Sequence, residues 1–161
     1  MDVIGLDHLY VTVSDLARAE RFYDPVMEAL GFHKGDKAIA GEPHAHYFNR
    51  VLQYTIRPAR RDGPHDPYAP GLHHLCFQVA SEDAVREAHA RLWALGVESS
   101  EPCRYPDYNP DYYATFFTDP DGIRLEIVAR TPYRDEVVRR WDDLRPVVNP
   151  LAELHDRERR R

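Results

Sequence analysis

The 161-residue sequence predicts an α+β domain made of two copies of a strand, helix, three-strand module (βαβββ), followed by a C-terminal helical extension. Three observations predict it. The segment His8-Leu9-Tyr10-Val11-Thr12-Val13, which runs on to Ala29-Leu30-Gly31-Phe32, has a second version in His74-Leu75-Cys76-Phe77-Gln78-Val79, which runs on to Ala94-Leu95-Gly96-Val97. Self-similarity at a near-constant interval marks a repeated supersecondary unit. In both copies a period-two stretch gives way to a 3.6-period stretch that closes on glycine, the signature of a strand followed by a helix. Finally, Asp119-Pro120-Asp121-Gly122 is a strong turn signal between the last two alternating runs.

The first strand spans 6 to 13, with Leu9, Val11 and Val13 on one face and His8, Tyr10 and Thr12 on the other. Ser14 or Asp15 caps a helix carrying Leu16, Ala19, Phe22, Tyr23, Val26, Met27 and Leu30 at helical spacing, and Gly31 ends it. Pro25 lies inside this pattern and is expected to kink or break it. Strands are expected near 37–41, 45–50 and 51–57, and the proline-rich stretch from Arg57 to Gly71 reads as a linker. In the second module Leu75, Phe77 and Val79 form the apolar face of a strand whose other face bears His74, Cys76 and Gln78. Ser81 caps a helix with Val85, Ala88, Leu92 and Leu95, and strands follow near 97–103, 112–118 and 123–130. In the last of these Glu126 shares the polar face with Arg124.

A sheet that packs helices on one side turns its other face to water or to a cavity. The expected architecture is therefore a curved, mixed or antiparallel cup with helices outside. The expected boundaries are one domain over 1–130, with module 1 about 5–57, a linker over 58–71 and module 2 about 72–130, and a helical tail over 131–161. Within the tail a helix is expected from Asp135 to Leu144, with docking or dimer contacts from Val137, Val138, Trp141 and Leu144, then a break at Pro-Val-Val-Asn-Pro and disorder after about His155.

Composition excludes several classes. A 43% hydrophobic content is that of a folded chain. No apolar run approaches the roughly 20 residues of a membrane helix. The opening Met1-Asp2-Val3-Ile4-Gly5 has no basic segment before an apolar one, so a cytoplasmic location is expected. Two cysteines, Cys76 and Cys103, are too few for a disulfide scaffold, and Cys76 is expected as a small buried packing residue. A net charge of −6 argues against nucleic-acid binding.

A lone strand histidine most often satisfies only a hydrogen bond. One histidine at the start of each repeated strand, both on polar faces, instead aims two imidazoles at one point and begins a metal site. His73 falls on the opposite face by alternation and reads as structural, and His44-Ala45-His46 reads as an exposed strand end.

The two modules, the histidine in each first strand and the sequence Asp119-Pro120-Asp121-Gly122-Ile123-Arg124-Leu125-Glu126 together resemble the vicinal oxygen chelate superfamily over residues 5–130. That group includes glyoxalase I, extradiol dioxygenases, methylmalonyl-CoA epimerase, fosfomycin-resistance enzymes and bleomycin-resistance proteins. The resemblance implies metal ligands at His8, His74 and Glu126, with Gln53 as a fourth by matching Val51-Leu52-Gln53-Tyr54 to the ligand-bearing strand of glyoxalase I. Two imidazoles and a carboxylate suit a divalent ion, Fe, Mn, Co, Ni or Zn, and leave positions open for a substrate with vicinal oxygens. The implied activity is that of a lyase or isomerase of the glyoxalase or epimerase kind, with Glu126 as ligand and base and Tyr113 of the pair Tyr112-Tyr113 donating a hydrogen bond to substrate. The alternatives are an Fe(II) extradiol-type dioxygenase and a non-catalytic binding cup of the bleomycin-resistance kind. Family members commonly form homodimers, with modules paired within a chain or exchanged between chains.

Overall fold

The computed structural model describes residues 3, 5–35, 38–61 and 63–144. Two βαβββ modules are present, followed by a short helical extension. Module 1 comprises β1 (His8–Val13), α1 (Leu16–Ala29), β2 (His33–Gly35), β3 (Ala45–Phe48) and β4 (Gln53–Pro58). Module 2 comprises β5 (His74–Val79), α2 (Glu82–Ala94), β6 (Cys103–Arg104), β7 (Tyr113–Thr118) and β8 (Arg124–Ala129). The extension holds α3 (Thr131–Arg139) and α4 (Trp141–Leu144).

Each module forms its own four-stranded mixed sheet, ordered β1-β4-β3-β2 and β5-β8-β7-β6. The first strand of each pairs in parallel with the last, so His8 lies opposite Gln53, and Cys76 lies opposite Glu126. Parallel pairing needs a crossover, and α1 and α2 are part of it. Side-chain caps set where the helices begin: Asp15 accepts from the Arg18 amide, and Ser81 accepts from the Ala84 amide at 3.2 Å. Gly31 and Gly96, with φ of 83° and 74°, follow the two helix ends in the left-handed region where a Cβ is unwelcome.

One apolar core serves both modules. Val11, Val13, Tyr23, Val26, Met27, Tyr54 and Ile56 from the first are buried with Val85, Leu92, Leu125 and Ile127 from the second. Both sheets therefore turn their helix-facing sides into this core. Aromatic contacts of Phe77 with Phe32 and Tyr54 cross between the modules at 6.0 and 6.1 Å. A buried polar chain crosses as well: Tyr54 donates to the Tyr23 hydroxyl at 3.0 Å, and Tyr23 donates to Asp119 Oδ2 at 2.9 Å. At the surface Asp121 accepts from the Ser14 amide and hydroxyl at 2.8 and 2.5 Å. The Asp-Pro-Asp-Gly turn thus ties β8 to the start of α1.

Several local expectations change. Helix α1 runs unbroken through Pro25, because burying Tyr23, Val26 and Met27 on either side of it outweighs the roughly 3 kcal/mol cost of the missing bond and the ring clash. Strand β2 lies at His33–Gly35 rather than 37–41, and Ile39 makes only an isolated bridge to Glu42. Cys76 and Cys103 are both exposed at the surface. The extension is helical from Thr131, earlier than expected, with Val137 buried and Val138 and Trp141 exposed. The expected break at 146–150 and the tail after His155 lie outside the described residues. Among those described, no helix is long and apolar enough to cross a membrane.

Candidate functional site

Alternation places the polar residues of each sheet on the side away from the core. On the second sheet that face carries His74 and Cys76 from β5, Arg124 and Glu126 from β8, and Phe116 from β7. Glu126 is 2% exposed, a carboxylate embedded in a sheet. The Tyr112 hydroxyl donates to its Oε1 at 2.5 Å, and His74 Nε2 stands 3.3 Å from its Oε2. Burial and the adjacent carboxylate push the Tyr112 hydroxyl well above the usual phenol range, so it stays a donor. Although Cys76 reaches the surface, desolvation of its thiol among the packed groups of this face, together with the neighbouring Glu126, pushes it up to about 12, which makes it a poor nucleophile at neutral pH.

His74 is positioned from outside its own strand. His73 Nδ1 lies 2.7 Å from His74 Nδ1, so one ring donates and the other accepts. With His74 protonated on Nδ1, its Nε2 lone pair faces Glu126. His73 precedes β5 and is not bound by its alternation, so the face expected for it from alternation does not apply. Removing this partner is expected to weaken metal binding about tenfold, the usual effect of losing a group that orients a ligand. Metal titration of His73→Ala measures this, and unchanged affinity would return His73 to a structural role.

On the first sheet His8 and Gln53 are register partners at the ends of β1 and β4. His8 Nδ1 is bonded to Asp7 Oδ2 at 2.8 Å, which fixes the tautomer and leaves Nε2 as an outward lone pair on a half-exposed ring. The Gln53 amide nitrogen donates to Thr55 Oγ1 at 3.0 Å and lies 3.3 Å from His46 Nδ1. This engages the amide nitrogen and leaves the oxygen, its metal-binding end. His46 is 2% exposed and bonded to Thr55 at 2.9 Å, not an exposed strand end as expected. It stacks on His44 with ring centroids 5.7 Å apart, and His44 meets Tyr10 edge-on at 6.0 Å. Tyr10 and Phe48 leave this face 41% exposed each.

The sequence-predicted ligands therefore fall into two pairs. His74 and Glu126 are together on the second sheet, and His8 and Gln53 are together on the first. Among the described residues no group of three or more His, Cys, Asp or Glu side chains is placed to hold a metal ion. Tyr113 turns to the helix side, where its hydroxyl accepts from Arg86 of α2 at 3.0 Å; Tyr112, one residue earlier, is the phenol that reaches Glu126. Sequence reasoning missed Asp7 and gave Tyr112, His73 and His46 no part in the site; the adjacency of Asp7 to His8 and of His73 to His74 is the local signal for those two.

The donor chemistry and spacing fit a divalent ion. Two ligands at about 2.1 Å from a common metal stand about 3.0–3.4 Å apart for octahedral or tetrahedral angles, and His74 Nε2 and Glu126 Oε2 stand 3.3 Å apart.

The model of the Glyoxalase/Bleomycin resistance protein/Dioxygenase superfamily matches residues 5–127. The chain is 32% identical over 130 residues to the uncharacterized protein YaeR of Escherichia coli, covering 74% of this chain and 92% of that one. It is 27% identical over 125 residues to the metallothiol transferase FosB of Bacillus licheniformis, covering 78% and 75%. Among solved structures, a glyoxylase/bleomycin resistance protein/dioxygenase domain from Frankia sp. EAN1pec superposes with a TM-score of 0.66 at 24% identity, over 80% of this chain and 98% of that one, a likeness of fold.

Proposed function

The chain belongs to the glyoxalase/bleomycin resistance protein/dioxygenase superfamily, and from that premise we propose that it is a metal-dependent enzyme whose metal centre is completed by a second copy of the chain. The observation that carries this reading is the buried Glu126 carboxylate, one oxygen held by Tyr112 and the other 3.3 Å from His74 Nε2, with no Lys or Arg in ion-pair contact among the described residues. Leaving such a carboxylate uncompensated costs several kcal/mol, and a divalent cation offsets it. His74 and Glu126 of one copy would meet His8 and Gln53 of the other, giving the two imidazoles, carboxylate and amide oxygen. The open outer faces of both sheets, with Tyr10, Phe48 and Tyr108 exposed, favour closure by a partner of the same kind. The metallothiol transferase FosB, a relative by sequence, supports metal dependence.

The divalent ion (Fe, Mn, Co, Ni or Zn) supplies positive charge to two adjacent substrate oxygens. The protein's own groups do the rest. Asp7 fixes the tautomer of His8, and His73 holds the His74 ring in position. Tyr112 holds one Glu126 oxygen in place, and the other, beside His74, would serve in turn as ligand and, once released, as the base that takes a proton from the carbon beside the substrate oxygens. This is proton-transfer chemistry of the lyase or isomerase kind. The two-histidine, one-carboxylate set also suits an Fe(II) dioxygenase, and one experiment separates them. Anaerobic purification, metal analysis and oxygen uptake with a panel of catechols are expected to give bound metal without uptake. Stoichiometric iron with uptake would assign the dioxygenase, and failure to bind any metal after reconstitution would remove the enzyme reading.

A further inference from the structure

Arg124 and Arg130 flank Glu126 along the outer face of the second sheet, since Arg124, Glu126, Val128 and Arg130 share one parity of β8 and its continuation. Both guanidiniums lie over aromatic rings of that face, Arg124 at 4.2 Å from the Phe116 centroid and Arg130 at 5.1 Å from that of Tyr112.

Neither arginine has a carboxylate at ion-pair distance among the described residues, and Arg130 Nε is buried with no hydrogen bond. Carboxylates are not scarce, because acidic residues outnumber Lys and Arg by 27 to 21. Arg18, Arg57, Arg60, Arg86, Arg91 and Arg104 each hold one. Arg21, Arg50, Arg61 and Arg134 hold none but are exposed to water. Arg124 and Arg130 are thus partly buried cations with no carboxylate at ion-pair distance among the described residues, and a buried donor without a partner is destabilising. A guanidinium stacked by its face keeps its N–H edge for a planar or tetrahedral oxyanion, often in a two-bond fork. Along the strands of this face Glu126 is the only carboxylate; Glu98 borders the same depression as Arg124 and Phe116 but makes no ion pair with Arg124.

We infer that Arg124 and Arg130 make this face an oxyanion site, so that the substrate carries a carboxylate or phosphate group beside the oxygens that approach Glu126. The inference depends on the metal reading only for those chelating oxygens; the anion site itself is a property of the two arginines.

Calorimetry on metal-free and Mn(II)-loaded protein tests it with three probes of one shape: mandelate, phenyl phosphate and the neutral 1-phenyl-1,2-ethanediol. At least one anion is expected to bind ten-fold or more tighter than the diol to metal-free protein, and whichever it is names the oxyanion. In R124Q/R130Q that preference should vanish while Mn(II) affinity and the circular-dichroism spectrum are retained. The single variants, each expected to lose part of the preference, carry the test if the double variant does not fold. Equal binding of anions and diol to the wild type, or an undiminished preference in the variants, would overturn the inference. Failure of the wild type to take up Mn(II) would remove the metal reading alone, because the metal-free titration still decides the anion site.

Discussion

Replacing Glu126 with Gln is expected to weaken metal binding at least about 100-fold, about 2.7 kcal/mol, while leaving the metal-free protein as stable as the wild type or more so. The substitution keeps the side-chain shape and an acceptor for the Tyr112 hydroxyl, so packing against β5 and β7 survives. What disappears is the negative charge, which is the ligand field's only anion and also the costly buried charge of the metal-free state. The two consequences have opposite signs and are read separately. Competition with a chelator gives the affinity, and thermal melts with and without metal give the stability. A variant that binds as tightly as the wild type would show that Glu126 is not a ligand.

Replacing Tyr23 with Phe is expected to cost about 2 kcal/mol of folding stability without touching the metal, because one hydroxyl removal breaks two buried hydrogen bonds. Tyr23 is fully buried; it donates to Asp119 and receives from Tyr54, and the chain joins α1, β4 and the turn before β8. Burial raises the Asp119 carboxyl above its ordinary range, against the backbone amides of Asp121 and Ile123 and the Tyr23 hydroxyl, which all favour its ionised form. A carboxyl raised in the folded state contributes stability that is fully present below its unfolded value and is lost as pH rises through its folded value. Loss of the Tyr23 donor raises it further, so the deficit of Y23F is greatest at neutral pH and narrows in acid as Asp119 becomes protonated. Urea denaturation at neutral and acid pH measures both terms. A deficit that is constant or grows in acid would contradict this role of Tyr23.

The elements that place the expected metal ligands were legible because each is bounded by strong local chemistry. His8 and His74 begin strands that run into capped helices, and Glu126 sits at a fixed distance from the turn of Asp119 to Gly122. Where no turn fixes the phase, period-two reasoning cannot choose between neighbours such as Tyr112 and Tyr113, and it is Tyr112 that reaches Glu126. His46 was missed for a related reason. Its burial arises from antiparallel pairing of β3 with β4, a contact that sets it beside Thr55 and Gln53 and that no residue near His46 announces. His73 lies one residue before β5, so the alternation of that strand does not set its direction. Nor does the repeat say whether two related modules bring their polar faces together within one chain. That depends on how the shared core forms, and here the core gathers the helix-facing sides and leaves the two ligand pairs on separate sheets.

The shared centre is tested most directly by mixing two defective chains. His8→Ala and Glu126→Gln should each bind little metal alone, since each damages both sites of its homodimer. After the two are unfolded together and refolded, or co-expressed, half of the dimers are mixed and each mixed dimer holds one intact site, so metal binding should return to about one quarter of the wild-type stoichiometry. Mixed dimers that bind no more metal than the separate variants would contradict a centre shared between copies and require all of its ligands to come from one chain.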